Sequence, residues 1–515
     1  MGTTMGRGGA CIIARRIAPR GTWVVLDTSP WEFPNGRSLR RRLLPLRGRE
    51  GRETSRRGRD LALDGERTPV ARRLLAENAM HGVRPERIHL LYVTYDGLLE
   101  PLGRSQVVSY LLESARGDLD VSVISFEKRE DLRDEGKRSR LQAELSQCGV
   151  SWAPLIRHRT PPVAAPTWDL FRGVRAGLSF GRRSRISIVH ARSYAAGLIG
   201  LALKTLTGAR LIFDMRGFWP EERVELGRFE PQSVSYSAAK LLEKRLLAAA
   251  DHVVVLTESA KAILREREAK DRLESGGVRE APISVVPCCV DLETYRPLRR
   301  DLELARIHDL ESSVVIGNLG AFNRRYLALE MFRFAFHVKT HRPDLRFVYL
   351  TAQNPDAVRK VAGDAGLDDK DVLVLRAEPS DVPRWLSLFR LGVFFLRPSY
   401  AAKASSFAKL GEFLAAGVPV VTNTGVGDVD RILGSDRCGL LLPGLTDRDL
   451  SASARNALPL LAGDGVAERI RRQCRAAAAE HFALGDGARR YRAIYDSLAS
   501  SPRTEEKAEI AAEVG

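Results

Sequence analysis

The chain is poor in cysteine and has no long apolar run. Its six cysteines, Cys11, Cys148, Cys288, Cys289, Cys438 and Cys474, are scattered over 515 residues without CxxC or CxxH spacing, so a sequence-encoded zinc site is not expected. That pattern also excludes a disulfide-stapled scaffold and fits a reduced, cytoplasmic protein. The adjacent pair Cys288-Cys289 reads either as a redox couple or as two small buried residues. No stretch approaches the roughly 18 to 20 apolar residues that cross a bilayer, and the first residues lack an h-region of about 7 to 15. Neither a membrane span nor export is expected.

Lysine is absent from residues 1–85, which hold 18 Arg against 8 acidic residues and so carry +10 of the formal net charge of +17. A basic nucleic-acid-binding protein is one reading of that excess. Its concentration in one tail argues instead for no nucleic-acid partner, and removing residues 1–79 would discriminate. "LRRRLLPLRGREGRETSRRGRD" has no sustained helical or strand period and reads as a poorly ordered extension. Met80 stands just before the first clear strand, so a natural start there is an expectation. Over the whole chain, 44% hydrophobic and 28% charged residues describe a soluble globular protein, and its length exceeds one ordinary core.

From residue 88 short apolar strands alternate with amphipathic helices, the pattern of βαβ units on a parallel sheet. "IHLLYVTY", "DVSVISF", "ISIVHARS", "ARLIFDMRG" and "DHVVVLTES" are strands. "SQVVSYLLESA" is a helix for which Ser105 is placed as N-cap. Prolines near residue 297 mark a boundary. A second series runs through "SSVVIGNLGAF", "LRFVYLT", "DVLVLRAE", "LGVFFLRPS" and "VPVVTN". The expected architecture is α/β: two tandem Rossmann-like, doubly wound domains, 86–297 and 298–482, facing across a cleft. A helix over 483–500, expected to pack back on the first domain, and a tail over 501–515 follow. Ligands in such folds sit beyond the C-terminal strand ends.

The chemistry points to "SSFAKLGEFLAAGVPVV". Ser405 and Ser406 are placed to cap a helix whose first amides can receive an anion, and Lys409 lies one turn on. Glu412, about 4.5 Å further along the axis, can accept bonds from two adjacent hydroxyls. Together they suit a diphosphate next to a ribose, although a plain i,i+3 surface pair has the same spacing. Downstream, "GVGDVD" resembles both a dinucleotide-binding turn and an acid-x-acid metal motif. Asp430 stands where the third glycine of the former is needed, so Gly425, Gly427 and Asp428 read as a turn with Asp428 capping the next helix.

Taken in order, "YVTYDGLLEPLGRSQVVSYL", "VISFEK", "HARSYAAGL", "IFDMRGFWPEERVELG", "IGNLGAF" and "SSFAKLGEFLAAGVPVVTNTGVGDVDRIL" resemble the family 4 retaining glycosyltransferases of the GT-B fold, most closely a bacterial surface-polysaccharide branch. The resemblance implies a nucleotide sugar on the second domain, with Glu412 at the ribose and Lys409, Ser405 and Ser406 near the diphosphate, alongside Gly320 and Asn318. It implies an acceptor side on the first domain, from Gly97, Gly103, the segment from His190 to Tyr194 with Arg192, and Asp214 with Arg216. It implies no metal and no cofactor.

Two departures stand out. The family's first acid, eight residues before Glu412, is Ala404 here. The first position of its basic pair is Asn318, which leaves Arg324 or Arg325 to grip the diphosphate. In retaining transfer the leaving diphosphate takes the acceptor's proton while cations, here Lys409 with Arg324 or Arg325, hold its charge. His190 reads either as a structural strand-end residue or as a hydrogen-bonder to a sugar hydroxyl. Asp214 and Arg216 read either as a loop-fixing pair or as acceptor contacts.

The partners implied are a nucleotide-diphosphate sugar and a lipid-linked glycan acceptor. "LFRGVRAGLSFGRRSR" (170–185) mixes Leu170, Phe171, Val174, Leu178 and Phe180 with arginines, as an interfacial segment on an anionic membrane would, and as an ordinary basic surface helix would too. That places the protein in the cytoplasm with a peripheral position at the inner face of the cell membrane. A GT-B-like nucleotide-sugar epimerase is the alternative enzyme, and donor turnover without acceptor would identify it.

Overall fold

The computed structural model describes residues 87–500 except 116–118, 162–163, 276–280, 437 and 463. The Arg-rich extension, Met80 and the tail after residue 500 lie outside the described residues.

Parallel strands buried on both faces are mostly apolar, and those here are, apart from polar residues such as Glu127, His190, Arg192, Asp214 and Asn318 toward their C-terminal ends. Within the described residues the first sheet comprises β1 (Ile88–Thr94), β2 (Leu119–Glu127), β3 (Val150–Ile156), β4 (Ile188–Arg192), β5 (Arg210–Asp214), β6 (His252–Val255) and β7 (Ile283–Val285). The order is β3-β2-β1-β4-β5-β6-β7, all parallel. The second sheet comprises β8 (Val314–Leu319), β9 (Leu345–Leu350), β10 (Val372–Leu375), β11 (Phe389–Val393), β12 (Val420–Asn423) and β13 (Gly439–Leu442). Its order, β10-β9-β8-β11-β12-β13, repeats the first in its own count. Both are doubly wound, with the strand order reversing between β1 and β4 and again between β8 and β11, which is where such sheets bind ligands. Gly317 shows how tightly β8 is packed: a Cβ there would stand 2.0 Å from the Val348 carbonyl oxygen.

The helix Leu484–Ser500 returns to the first domain. Tyr491, Ile494, Tyr495 and Leu498 recur at helical spacing and are buried in the same cluster as Leu90, Tyr92, Val107 and Ile188. The chain crosses there beside the other interdomain strand: Val290 N donates to Phe482 O (2.8 Å), and Leu484 N donates to Val290 O (3.1 Å). Cys288 and Cys289 lie in this crossing, buried, with both thiols pushed up by desolvation, which suits small core residues and not a reactive couple.

Two helix starts differ from expectation. The helical stretch expected at Ser105 begins at Pro101, and the segment Arg104–Val108 is π-helical. Ser105 is therefore inside the helix, its hydroxyl donating to Leu102 O at 3.4 Å. The helix Ala164–Gly181 also turns differently from the expected interfacial segment. Phe180 is buried, and Leu170, Val174 and Leu178 pack against the core. The outward aromatics are Trp168 and Phe171, 55% and 57% exposed, with ring centroids 5.7 Å apart.

Candidate functional site

At the second domain's switch point the helix Ala408–Ala415 places Lys409 inward. Its ammonium donates to Asn318 Oδ1 (3.1 Å) at the end of β8 and lies 4.1 Å from the Tyr326 ring centroid and 5.5 Å from that of Phe394, just after β11. These contacts draw on both sides of the strand-order reversal. Gly320 holds φ +98°, a left-handed conformation that favours glycine, and a Cβ there would stand 3.7 Å from Nζ.

Lys409 is buried, and among the described residues no carboxylate stands at ion-pair distance from it. Desolvation pulls its ammonium down to about 7, with Glu412 opposing the fall. One turn on, the half-buried Glu412 accepts from the Tyr295 hydroxyl (3.3 Å), and burial pushes its carboxyl up. A cation short of a counter-ion beside an oxygen-rich acceptor can receive an anion that also carries hydroxyls. Tyr326 and Tyr295 belong to this site, although no local spacing in the sequence marks either.

The serines do not cap this helix. Residues Ala401–Ala404 form a 3-10 turn, the helix starts after Phe407, and no side chain caps it. Ser405 Oγ accepts from Arg325 Nη2 (3.0 Å), and Ser406 Oγ accepts from the Cys288 amide (3.1 Å). The two arginines separate clearly. Arg325 is held by the first domain's short helix Trp219–Glu225, with Nη1 on Glu222 Oε1 (3.1 Å) and Nε 3.3 Å from Glu225 Oε2. Arg324 is exposed and has no ion-pair or hydrogen-bond partner among the described residues.

Other links join the domains. The Asp428 carboxylate does not cap its own helix: it accepts from the amides of Glu258 (2.8 Å) and Ser259 (3.2 Å), the start of the first domain's helix Glu258–Ser275. Ser259 Oγ donates to Gly427 O (2.9 Å), and Thr257 Oγ1 donates to Lys403 O (2.8 Å). Phe218 stacks on Tyr400 at 5.0 Å, with the Arg267 guanidinium 5.1 Å from each ring centroid. Asp430, the second acid of the acid-x-acid pattern, accepts from the Gly425 amide (3.0 Å). Among the described residues no group of three His, Cys, Asp or Glu side chains is placed to hold a metal. A cavity of about 470 Å³ between the domains is lined by Thr257, Pro287, Ser405, Ser406, Asp428 and Phe482, whereas Lys409 and Glu412 do not face it.

On the first domain, His190, Arg192 and Asp214 come together at the ends of β4 and β5, but under the C-terminal helix and fully enclosed. Arg192 Nη1 donates to Asp214 Oδ2 at 2.6 Å, the Tyr491 hydroxyl donates to the same oxygen at 3.1 Å, and His190 Nδ1 pairs with the Tyr495 hydroxyl at 2.8 Å. Against the upward pull of burial, Arg192 and His190 hold the Asp214 carboxyl below the usual range, while desolvation lowers the imidazole of His190. His190 has no exposed surface, so it cannot reach a sugar hydroxyl in this arrangement. The partner of Asp214 is Arg192, not Arg216. Arg216, at φ +61°, donates to Asp96 Oδ2 (2.6 Å) in the loop after β1.

That loop is built on the expected glycines. A Cβ on Gly103 would stand 1.9 Å from Gly97 O, and one on Gly97 2.6 Å from Glu127 Oε2. Glu127, buried at the end of β2, accepts from the amides of Leu98 (2.8 Å) and Leu99 (3.2 Å). Gly97 and Gly103 therefore allow close packing in the loop.

A model of a glycosyl transferase 4-like domain matches residues 103–289. No curated protein matches the chain. Among solved structures, sucrose-phosphate synthase from Thermosynechococcus elongatus superposes with a TM-score of 0.60 at 16% identity, over 81% of this chain and 100% of that one. A glycosyltransferase from Rickettsia africae gives 0.57 at 14%, over 81% and 100%. HepE from Anabaena, solved with UDP-glucose, gives 0.58 at 13%, over 80% and 100%. At these identities the likeness is one of fold: two parallel-sheet α/β domains in the GT-B arrangement.

Proposed function

We propose that the protein is a retaining glycosyltransferase that moves a sugar from a nucleotide-diphosphate sugar to a lipid-linked glycan in cell-surface polysaccharide synthesis. The observation that carries this reading is the buried Lys409 at the β8/β11 switch point, with no carboxylate partner among the described residues and Glu412 one turn beyond it. HepE from Anabaena, which shares this fold, was solved with UDP-glucose, and that supports a donor of this kind.

Lys409 holds the diphosphate in a site where burial strengthens its field, and Glu412 accepts from the ribose hydroxyls. Arg324, exposed beside this loop, is the cation free to follow the leaving group, because Arg325 is engaged by Glu222 and Glu225. The diphosphate oxygen takes the acceptor's proton as the glycosidic bond forms on the face it leaves. The first domain brings the acceptor to the end of β1, over the loop of Gly97 and Gly103.

Thermal-shift measurement against UDP-, GDP- and ADP-sugars tests the reading. At least one donor is expected to raise the melting temperature by mass action, and no shift with any of them would refute it. The anomeric configuration of the product, read by NMR, separates retention from inversion.

The lipid-linked acceptor calls for contact with a bilayer. Trp168 and Phe171 stand outward with Arg175 on one face of the helix Ala164–Gly181, and Arg182, Arg183 and Arg185 are exposed at its end. This combination suits an anionic interface. The double variant Trp168→Ala/Phe171→Ala should partition onto anionic liposomes roughly tenfold or more weakly, from the loss of two inserted aromatics. Unchanged co-sedimentation would remove the membrane from the proposal and leave the transferase reading intact.

A further inference from the structure

We infer that Glu222, a residue of the first domain, binds hydroxyls of the donor's sugar and so completes a site whose other parts lie on the second domain. This rests on the assignment of Lys409 to the diphosphate and Glu412 to the ribose. With ribose at Glu412 and diphosphate at Lys409, one turn nearer the helix start, the sugar continues in the same direction and meets the segment 404–406.

That segment offers little to a sugar on its own. Ala404 is buried and has no polar side chain, and the hydroxyls of Ser405 and Ser406 are already engaged by Arg325 and the Cys288 amide. The first domain supplies a carboxylate at this place. The planar guanidinium of Arg325 donates through Nη1 to Glu222 Oε1 (3.1 Å) and through Nη2 to Ser405 Oγ (3.0 Å), which sets the carboxylate beside Ser405. Gly217 keeps the space between them open: a Cβ there would stand 3.0 Å from Glu222 Oε1 and 3.9 Å from the Ala404 carbonyl oxygen.

Glu222 Oε2 has no hydrogen-bond partner among the described residues, and the side chain is 28% exposed. An ionised carboxylate only accepts, and can take two neighbouring hydroxyls, while Arg325 neutralises its charge next to the diphosphate. Glu225, 3.3 Å from Arg325 Nε, holds the guanidinium from its other edge. The carboxylate and the phosphate-binding lysine belong to different domains, so the sugar is gripped only when the cleft is closed. Recognition of the sugar and closure are then one event.

The test compares the full-length protein with its Glu222→Gln variant by calorimetry, using two matched pairs of probes, UDP with UDP-glucose and GDP with GDP-mannose. In wild type the preferred sugar nucleotide should bind more tightly than its bare diphosphate. Glu222→Gln should weaken the sugar nucleotide by roughly tenfold or more, the usual effect of losing a charged hydrogen-bond acceptor, and leave the bare diphosphate within about twofold. Gly217→Ala, which presses on Oε1, should show the same selective loss and serves if the glutamine variant fails to fold.

Equal affinities in wild type and variant would overturn the inference. So would a comparable tightening of both nucleotides, which would mean that Glu222 competes with the diphosphate for Arg325. A wild-type protein that binds no nucleoside diphosphate would sink the underlying donor assignment as well.

Discussion

Replacing Lys409 by methionine should abolish transfer, lowering kcat/KM on the order of 100- to 1000-fold, while leaving the free protein at least as stable as wild type. The first half follows from the charge of the leaving group, because a preorganised cation in a water-poor site stabilises the transition state far more than it would in bulk water. The second follows from desolvation, since Lys409 sits among Tyr326 and Phe394 with Asn318 as its polar partner and is pulled down to about 7.

Below about 7 the lysine is charged in both folded and unfolded chains, and its burial is a constant cost. Between about 7 and 10.5 the unfolded chain binds the proton that the folded one has lost, so this cost fades as pH rises. Methionine removes the cost and its pH dependence together. Donor binding has the opposite slope: an anionic diphosphate favours the protonated lysine, so above about 7 binding takes up a proton and weakens with pH. Calorimetry in buffers of different ionisation enthalpy should show proton uptake at pH 8 and none at pH 5.5. A folded Lys409→Met variant with near-normal turnover would overturn the assignment.

The parts of the site that could be read from the chain are those that local periodicity brings together. Lys409 and Glu412 share a helix face at i,i+3, and the alternation of apolar strands with helices is enough to imply two parallel sheets. Tyr295 reaches Glu412, and Glu222 reaches Arg325, across 117 and 103 residues, so no local spacing announces either pair. Asp428 illustrates the same limit. Its place before a helix reads as a cap, but the amides it satisfies lie 170 and 169 residues away on the other domain. The serines at 405 and 406 fail for a different reason. Their residue type favours an N-cap, yet the preceding 3-10 turn moves the helix start to Ala408, and the hydroxyls meet Arg325 of the same domain and the Cys288 amide of the other. Tertiary packing overrides local preference where the two domains meet.

Asp214→Ala should lower stability by about 3 to 5 kcal/mol, the range for removing one partner of a buried ion pair. Arg192 is 3% exposed and donates to Asp214 Oδ2 at 2.6 Å, and without that carboxylate its charge stays buried beside His190, whose imidazole is already pulled down by desolvation. Tyr491 also loses its acceptor, so the effect should include the docking of the helix Leu484–Ser500 as well as the strand ends.

Hydrogen exchange should therefore show faster opening of residues 484–500 in the variant. Adding Arg192→Leu to Asp214→Ala should recover part of the stability, because two apolar groups replace one stranded charge. Activity separates the two roles open for this cluster. If Asp214 serves only the clasp, the double variant regains turnover as it regains stability; if it contacts acceptor, turnover stays low in a folded protein and KM for the acceptor rises. A single Asp214→Ala variant that melts like wild type would overturn the clasp, since a buried arginine cannot lose its counter-ion at no cost.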